Sequence, residues 1–320
     1  MPRSRRRLRA LGQHLGTRCH GCPAAAPTAA APPPLSSEAD ASVDVDPIVR
    51  RLADEGWALI PSVLPEAEAR RLEALCRRRI EAKERAGRQA GGHATGGGEA
   101  YVSLEDALNV VPELAPLCAH PLVLAIAGAV LGEDCYLGVA QVRVCRPGTQ
   151  AGALHADWAL RAAAWGGYRE STQPAAPPYG GLQAFWMLSA GTEDNGSTRI
   201  VPFSHHTRRG PGPARQAPYP GELRVVGKRG SLFVFHNGLW VSASNGLVTT
   251  LPPDADRCCQ QHGIGANTSA DSHRVFANAF YIPNDIHRHD SWPKVSRDVF
   301  GRFSPRLQEL LRRSAEDEHR

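Results

Sequence analysis

A histidine and an aspartate stand two residues apart in the segment Leu154-His155-Ala156-Asp157-Trp158. If this segment is a strand, both side chains point to one face of the sheet, so an imidazole nitrogen and a carboxylate can reach the same metal ion. Two histidines and one carboxylate on one face of an octahedron leave three positions open, which suits Fe(II) with a bidentate 2-oxo acid and O₂. The tripeptide alone is a weak signal, because a surface His and Asp at this spacing need no metal.

The elements that must position these side chains change type along the chain. Helical patterns come first, and short strands separated by Gly and Pro follow from Tyr136 onward. This order predicts an α+β fold: an antiparallel double-stranded β-helix, which is a jelly-roll or cupin-like barrel, with N-terminal helices packed on one face. The predicted helices are Asp46–Ala53, Pro65 to about Lys83 and Pro121–Leu131, and the predicted strands are Trp57–Pro61, Gly138–Cys145, Leu182–Leu188, Ser231–Phe235 and Val275–Ile282.

Residues 1–43 differ in composition from the rest of the chain. Residues 1–36 hold six of the 37 Lys and Arg and no acidic residue, among many Ala and Pro. This composition is typical of a transit peptide for a mitochondrion or plastid, and a disordered tail or a mistaken upstream start codon of a cytoplasmic protein gives the same pattern. We expect a leader over 1–43, a catalytic domain over 44–305 and a C-terminal tail over 306–320.

The charge and cysteine content narrow the choice of partners. Outside residues 1–36, the other 31 Lys and Arg are balanced by 32 Asp and Glu, so no basic face for a nucleic acid is expected. No run is long and apolar enough to cross a bilayer. The eight Cys show no disulfide framework, which indicates reduced thiols and an intracellular protein. A small-molecule substrate is the expected partner, and the oligomeric state is not indicated.

Several segments in a fixed order give a more specific pattern than any of them alone. A strand pattern at 181–188 precedes an Asn-Gly turn at 195–196 and the segment Ile200-Val201-Pro202-Phe203-Ser204-His205. A second strand pattern, 230–235, then leads to Leu239-Trp240. In this order and spacing the chain resembles the phytanoyl-CoA dioxygenase family over about residues 46–300.

The resemblance implies an Fe(II)- and 2-oxoglutarate-dependent dioxygenase, with O₂ as the oxidant. It would hydroxylate a small-molecule or acyl-type substrate and release succinate and CO₂. His155 and Asp157 match two metal ligands of the family. The family's second His directly follows a Leu-Trp pair, and an Arg about a dozen residues later pairs with the distal carboxylate of 2-oxoglutarate. A guanidinium fork suits that role because it meets a carboxylate in two parallel hydrogen bonds.

This chain departs from the family pattern at residue 241. Val241 follows Leu239-Trp240, and the expected His appears only at His262. Removing the 21 residues Val241–Gln261 restores the pattern, which makes His262 the third ligand and places Arg274 twelve residues beyond it. We interpret 241–261 as a retained intron or gene-model error, and a genuine loop is the alternative. Structureless loops of this length are uncommon inside compact domains, although lids are an exception.

Further polar and aromatic residues are candidates for the pocket. Gln141 and Arg143 have same-face spacing on the strand before the His-x-Asp motif, and we assign Gln141 with Arg274 to the co-substrate. Arg143, Trp158, Gln183 and Trp186 are candidate substrate contacts, although an exposed strand polar or a core aromatic would have the same sequence appearance. His236 competes with His262 as a metal ligand.

The sequence is also compatible with two other functions. The chain could be a catalytically inactive ligand-binding module, because the insertion displaces the third metal ligand. It could also be a cupin-type metal barrel with an isomerase or storage function, against which the position of Arg274 and the Asn-Gly turn argue.

Overall fold

The structure is a computed structural model that describes residues 44–89, 101–105, 107–152, 154–156, 180–207, 219–242, 265–283, 293 and 295–311. The leader over 1–43, Asp157, Trp158 and His262 lie outside these ranges, as does most of the segment 241–261.

Helices occupy the first third of the described chain and its end. The first helix begins beside Pro47 and ends at Gly56, whose left-handed backbone (φ 87°) lets its N–H bond to the carbonyl of Leu52. The second helix follows Pro65 and runs to Gln89, beyond the predicted end near Lys83. The helices are α1 Asp46–Glu55, α2 Glu66–Gln89, α3 Ala107–Val110, α4 Ala115–Cys118, α5 Pro121–Leu131, α6 Arg297–Phe300 and α7 Pro305–Leu310, with 3₁₀ turns at Pro112–Leu114 and Ser204–Thr207.

The described residues include ten strands, all of which lie between α1 and α6 in the chain. Their bounds are β1 Trp57–Ile60, β2 Tyr101–Leu104, β3 Tyr136–Cys145, β4 Leu154–His155, β5 Leu182–Met187, β6 Arg199–Val201, β7 Leu223–Arg224, β8 Leu232–His236, β9 Trp240–Ser242 and β10 Arg274–Ile282. They form a six-stranded sheet in the order β1-β8-β5-β10-β3-β2 and a four-stranded sheet in the order β4-β9-β6-β7. Every pairing of these strands is antiparallel.

The two sheets pack face to face, as the α+β double-sheet prediction requires. One core cluster combines Ile200 and Val241 of the small sheet with Phe185, Phe233 and Phe276 of the large sheet. We call the region around this cluster the inter-sheet space. Within the described strands no hydrogen-bonded pairing joins the two sheets, which lie as the two layers of the predicted double-stranded β-helix.

The other face of the large sheet is covered by helices. Successive β10 side chains alternate between the two faces, so Val275, Ala277, Ala279 and Tyr281 pack with the helices while Phe276 faces the small sheet. The Tyr281 hydroxyl donates a hydrogen bond of 2.7 Å to the carbonyl of Cys118 at the end of α4. The helices therefore brace the strand that carries Arg274.

The described fold continues past residue 305, where the predicted catalytic domain ends. Pro305 begins α7, and Leu307, Leu310 and Leu311 are buried in the core beneath the large sheet. The folded domain therefore includes residues through Leu311, because this last amphipathic turn covers apolar surface that would otherwise face water.

The cysteines within the described ranges are free thiols. Cys76, Cys118, Cys135 and Cys145 are all buried and unpaired with one another. Among the described helices no single one is long and apolar enough to cross a bilayer, and the bent pair Pro112–Cys118 and Pro121–Leu131 meets the test only when the two are taken together.

Candidate functional site

The inter-sheet space holds polar side chains among its aromatic rings. Directly paired residues in an antiparallel ladder share a face. Phe276 faces this space, and Arg143 and Met187 are its partners on either side. The same alternation places five polar residues on this face: Gln141, Arg143, Gln183, Arg274 and Asn278. All five are buried.

Arg274 lies at the start of β10 with 1% of its surface exposed. Its guanidinium donates hydrogen bonds of 2.7 Å to the carbonyl of Gly196 and to the Thr198 hydroxyl, and it lies 4.3 Å from the ring centre of Phe276. Burial lowers the pKa of this guanidinium, yet an arginine keeps its charge in proteins. The two acceptors are neutral, so a carboxylate ligand would be a stronger partner for this cation.

A chain of hydrogen bonds runs along the neighbouring strands from Arg143. Arg143 donates to the side-chain oxygen of Gln141, and the Gln141 amide donates to the carboxylate of Glu105. Ser103 also donates to Glu105. Arg143 is fully buried, which excludes an exposed strand polar as its explanation. The chain fixes the orientation of both predicted side chains toward the inter-sheet space.

Asn278 is a site candidate that the sequence reasoning missed. It lies directly opposite Gln141 in the ladder and is 2% exposed. Within the described residues, neither the oxygen nor the nitrogen of its side-chain amide has a hydrogen-bond partner. A buried unsatisfied amide is costly and marks a position for a ligand or an ordered water. The only signal in the sequence was one amide inside the otherwise apolar run that follows Arg274.

His155 is the one predicted metal ligand that the structure describes. It lies half-buried at the end of β4 and pairs directly with Val241 of β9. Val241 is completely buried in the inter-sheet cluster and pairs with Ile200 on its other side. Side chains at such a directly paired position have Cβ atoms roughly 5 Å apart, so two imidazoles there could share an ion.

The residue in this position is valine, which has no donor atom. Asp157 and His262 lie outside the described residues. Within the described ranges, no three His, Cys, Asp or Glu side chains converge to hold a metal ion. The buried arginines thus fit an anionic co-substrate, whereas the residue opposite His155 does not fit a metal.

The predicted pocket residue Trp186 does not face the inter-sheet space. Its side chain lies on the helix-covered face of the large sheet, with its ring centre 5.0 Å from that of His120. Gln183 lies on the opposite face, paired with Phe280, where it can contact a ligand. Trp158 lies outside the described residues.

His236, the competing ligand candidate, belongs to a different group of histidines. It ends β8 opposite Leu182, and its ring centre lies 5.3 Å from that of His205. Its Nδ1 accepts a hydrogen bond of 2.8 Å from the Gly238 N–H. Burial, with a smaller contribution from His205 and His206, lowers the pKa of His236 to about 3. These contacts explain His236 as a neutral structural residue.

Comparison with known protein families gives this arrangement its context. The family model for phytanoyl-CoA dioxygenase (PhyH) matches residues 52–245, which is more than half of the chain. The chain belongs to the phytanoyl-CoA dioxygenase family. Membership places it among the Fe(II)- and 2-oxoglutarate-dependent oxygenases, as the His-x-Asp motif and its context predicted. The family match ends shortly after Val241, the position at which the chain departs from the family pattern.

Three known proteins are similar to this chain over most of its length. Dioxygenase af480 of Aspergillus fumigatus is 26% identical over 323 residues, covering 94% of this chain and 90% of that protein. The α-ketoglutarate-dependent carbocyclase SnoK from nogalamycin biosynthesis superposes with a TM-score of 0.51 at 22% identity, covering 83% and 93% of the two chains. AviO1 from Streptomyces viridochromogenes Tue57 gives a TM-score of 0.50 at 18% identity, covering 77% and 98%. The two structures share the fold of this chain.

Proposed function

We propose that this protein is a dioxygenase that hydroxylates a small-molecule or acyl-type substrate and converts 2-oxoglutarate to succinate and CO₂. The observation that carries the proposal is Arg274, a buried cation inside the inter-sheet space whose guanidinium donates to the carbonyl of Gly196 and to the Thr198 hydroxyl. In the absence of water, such a group attracts a carboxylate strongly. The distal carboxylate of 2-oxoglutarate is the partner that family membership supplies.

The other buried polar groups would orient the ligands. Gln141 is fixed by Arg143 and Glu105, so its position is set before a ligand arrives. Asn278 offers one donor and one acceptor from the facing strand, and Gln183 lies further along the same face. Phe185, Phe276 and Phe280 surround them with apolar surface that excludes water. A substrate with an apolar body and a few polar groups suits this lining.

His155, Asp157 and His262 are the proposed metal ligands of the form in which His262 takes the place of Val241. Fe(II) held by them would supply the activation of O₂ through which 2-oxoglutarate is oxidatively decarboxylated and a substrate C–H becomes C–OH. The protein's part is to hold the co-substrate at Arg274, orient the substrate at the amides and keep the space dry. Support for this ligand set comes from the sequence pattern and from the interior position of His155.

Succinate formation from 2-oxoglutarate tests the proposal without knowledge of the prime substrate. The chain as printed and a form that lacks Val241–Gln261 are each assayed with Fe(II) and O₂, and each is compared with its own His155→Ala variant. We expect Fe(II)-dependent succinate from at least the shortened form and its loss in His155→Ala. If neither form produces succinate, although both are folded and bind 2-oxoglutarate, the proposed reaction is overturned.

A further inference from the structure

The described part of strand β9 ends at Ser242, and we call the gap in the described chain between Ser242 and Gly265 the interruption. On the near side of the interruption, Trp240 pairs with Val201 and Val241 pairs with Ile200 of the neighbouring β6. The chain returns to the described part at Gly265. The residues between are the ones in which the sequence departs from its family pattern.

The chain resumes its pairing with the same neighbouring segment beyond the interruption. Asn267 forms an antiparallel bridge with Asn195. The Gly265 N–H donates a hydrogen bond of 2.9 Å to the Ser197 carbonyl, and the Thr268 N–H donates one of 2.7 Å to the Asp194 carbonyl. All three contacts have the same register, so this part of the chain extends the ladder that β9 began.

Counting along the ladder gives the length of the interruption. Asn195 lies six residues before Val201, so an unbroken β9 would place residue 246 opposite it, six residues after Trp240. The residue found opposite Asn195 is Asn267, which lies 21 residues further along the chain. This offset equals the length of Val241–Gln261, the segment whose removal restores the family pattern. Structure and sequence thus give the same length from unrelated observations.

We propose that Val241–Gln261 is a register-neutral insertion that places Val241 in the third metal-ligand position, and that the metal-binding form of this protein runs directly from Trp240 to His262. In that form, the unchanged ladder puts His262 opposite both Ile200 and His155, where Val241 lies now. This inference rests on the proposed function for the identity of the metal. It adds that the chain with the insertion lacks one metal-donor atom, because the residue that the fold places opposite His155 is a valine.

The ladder explains why the insertion does not break the fold. A segment that leaves and rejoins a strand in register keeps every pair on both sides. The entropic cost of closing a loop grows only with the logarithm of its length, so a loop of 21 residues costs little more than a shorter one.

The insertion should weaken metal binding even though the fold tolerates it. Losing an imidazole from a three-ligand site removes a large part of the metal's binding free energy.

Two deletions of equal length distinguish the effect of strand register on metal binding from the effect of the imidazole. Deleting Val241–Gln261 joins Trp240 to His262. Deleting Ser242–His262 removes the same number of residues and restores the same ladder, but it keeps Val241 and removes the imidazole. A third variant, Val241→His, keeps the insertion and adds an imidazole opposite His155.

The measurement is an equilibrium titration of each protein with Co(II), an air-stable substitute for Fe(II), followed by calorimetry and by the visible absorption of the bound ion. We expect the form that lacks Val241–Gln261 to bind one ion per chain at least about a hundredfold more tightly than the printed chain or the form that lacks Ser242–His262. Val241→His should recover part of this affinity, and His155→Ala should abolish it.

Several results would overturn the inference. Equal affinity of the two deletion forms would show that the imidazole is not needed, and equal affinity of the printed chain would show that another group already supplies the third donor. A form lacking Val241–Gln261 that fails to melt cooperatively would contradict the continuous ladder. Tight Co(II) binding without succinate formation from the Fe(II) form would leave this inference standing and reject the proposed reaction.

Discussion

Arg274 and Asn278 face the inter-sheet space from the same strand, but their polar atoms are satisfied to different degrees. Arg274 has neutral acceptors at Gly196 and Thr198, whereas the Asn278 amide has none among the described residues. The first residue could be identified from its spacing after the family's second His. The second could not, because one amide in a run of apolar residues is equally compatible with a satisfied core polar group. Burial and unmet hydrogen bonds are properties of the folded molecule.

Replacing Arg274 tests the carboxylate site directly. Arg274→Met removes the cation and its fork while keeping an unbranched side chain of similar length. We expect the affinity for 2-oxoglutarate to fall at least about thirtyfold, because breaking a buried charge pair costs upward of 2 kcal/mol. Calorimetric titration with 2-oxoglutarate in the presence of Co(II) gives this value. Arg274→Lys is the matched control, which should retain part of the affinity. An unchanged affinity in Arg274→Met would remove Arg274 from the co-substrate site.

Replacing Asn278 should separate stability from function. Asn278→Leu removes a buried amide that has no hydrogen-bond partner among the described residues, so the free energy of unfolding should rise by about 1 kcal/mol. Succinate formation should fall, because the ligands lose a polar contact. Asn267→Leu is the control, since the Asn267 amide donates to the carbonyls of Cys145 and Ser272 and its loss should destabilise the protein. Urea unfolding and turnover are measured together, and a destabilised Asn278→Leu would show that the amide is already satisfied.

At the scale of elements, the sequence predicted which segments are strands better than it predicted on which face of the sheet each side chain lies. The β5 side chains are buried on both faces, so their sequence, Leu-Gln-Ala-Phe-Trp-Met, shows no alternation. Only the partners of β5 decide that Gln183 faces the small sheet and Trp186 the helices. The interruption of β9 is the opposite case. There the family pattern predicted the length of the insertion, and the ladder gives the same number.

The turn into β8 depends on a glycine. Gly230 has a left-handed backbone (φ 80°), and a Cβ added there would lie 2.1 Å from the carbonyl oxygen of Leu64. Gly230→Ala should therefore lower the free energy of unfolding by at least about 3 kcal/mol, through backbone strain and a backbone clash. Gly221→Ala is the control, because Gly221 has φ 76° but open space around it, and it should cost only about 1 kcal/mol. Equal losses in urea unfolding would show that the Leu64 contact relaxes freely.

At the scale of the whole molecule, the two-sheet architecture with helices on one face followed from the order of helical and strand patterns. The packing of α7 on the core did not, because this helix is short and its pattern of apolar residues is visible only against the core it covers.

The stability of the molecule should fall in acid through His236. Burial lowers its folded-state pKa to about 3, below its ordinary value of 6.5, so the unfolded chain binds a proton that the folded protein excludes. The contribution of neutral His236 to the free energy of unfolding is complete above about pH 6.5 and is lost as the pH falls toward 3. At pH 5 this free energy should be lower by about 2 kcal/mol. Urea unfolding from pH 7 to 5 should show this slope. His236→Asn, which keeps an acceptor for the Gly238 N–H, should flatten it. If the variant loses stability with falling pH as steeply as the unchanged protein, the proton is taken up by a group other than His236.

The four buried cysteines of the described ranges are themselves protected from oxidation. Burial raises the pKa of Cys76, Cys118 and Cys145 to about 12 and that of Cys135 to about 11. Peroxide attacks the thiolate rather than the thiol, and it must reach the sulfur to do so. Fe(II) and O₂ together generate such oxidants whenever a reaction cycle fails. The described thiols, protonated and out of reach of solvent, are therefore poor targets for the by-products of the oxygen chemistry of their own family.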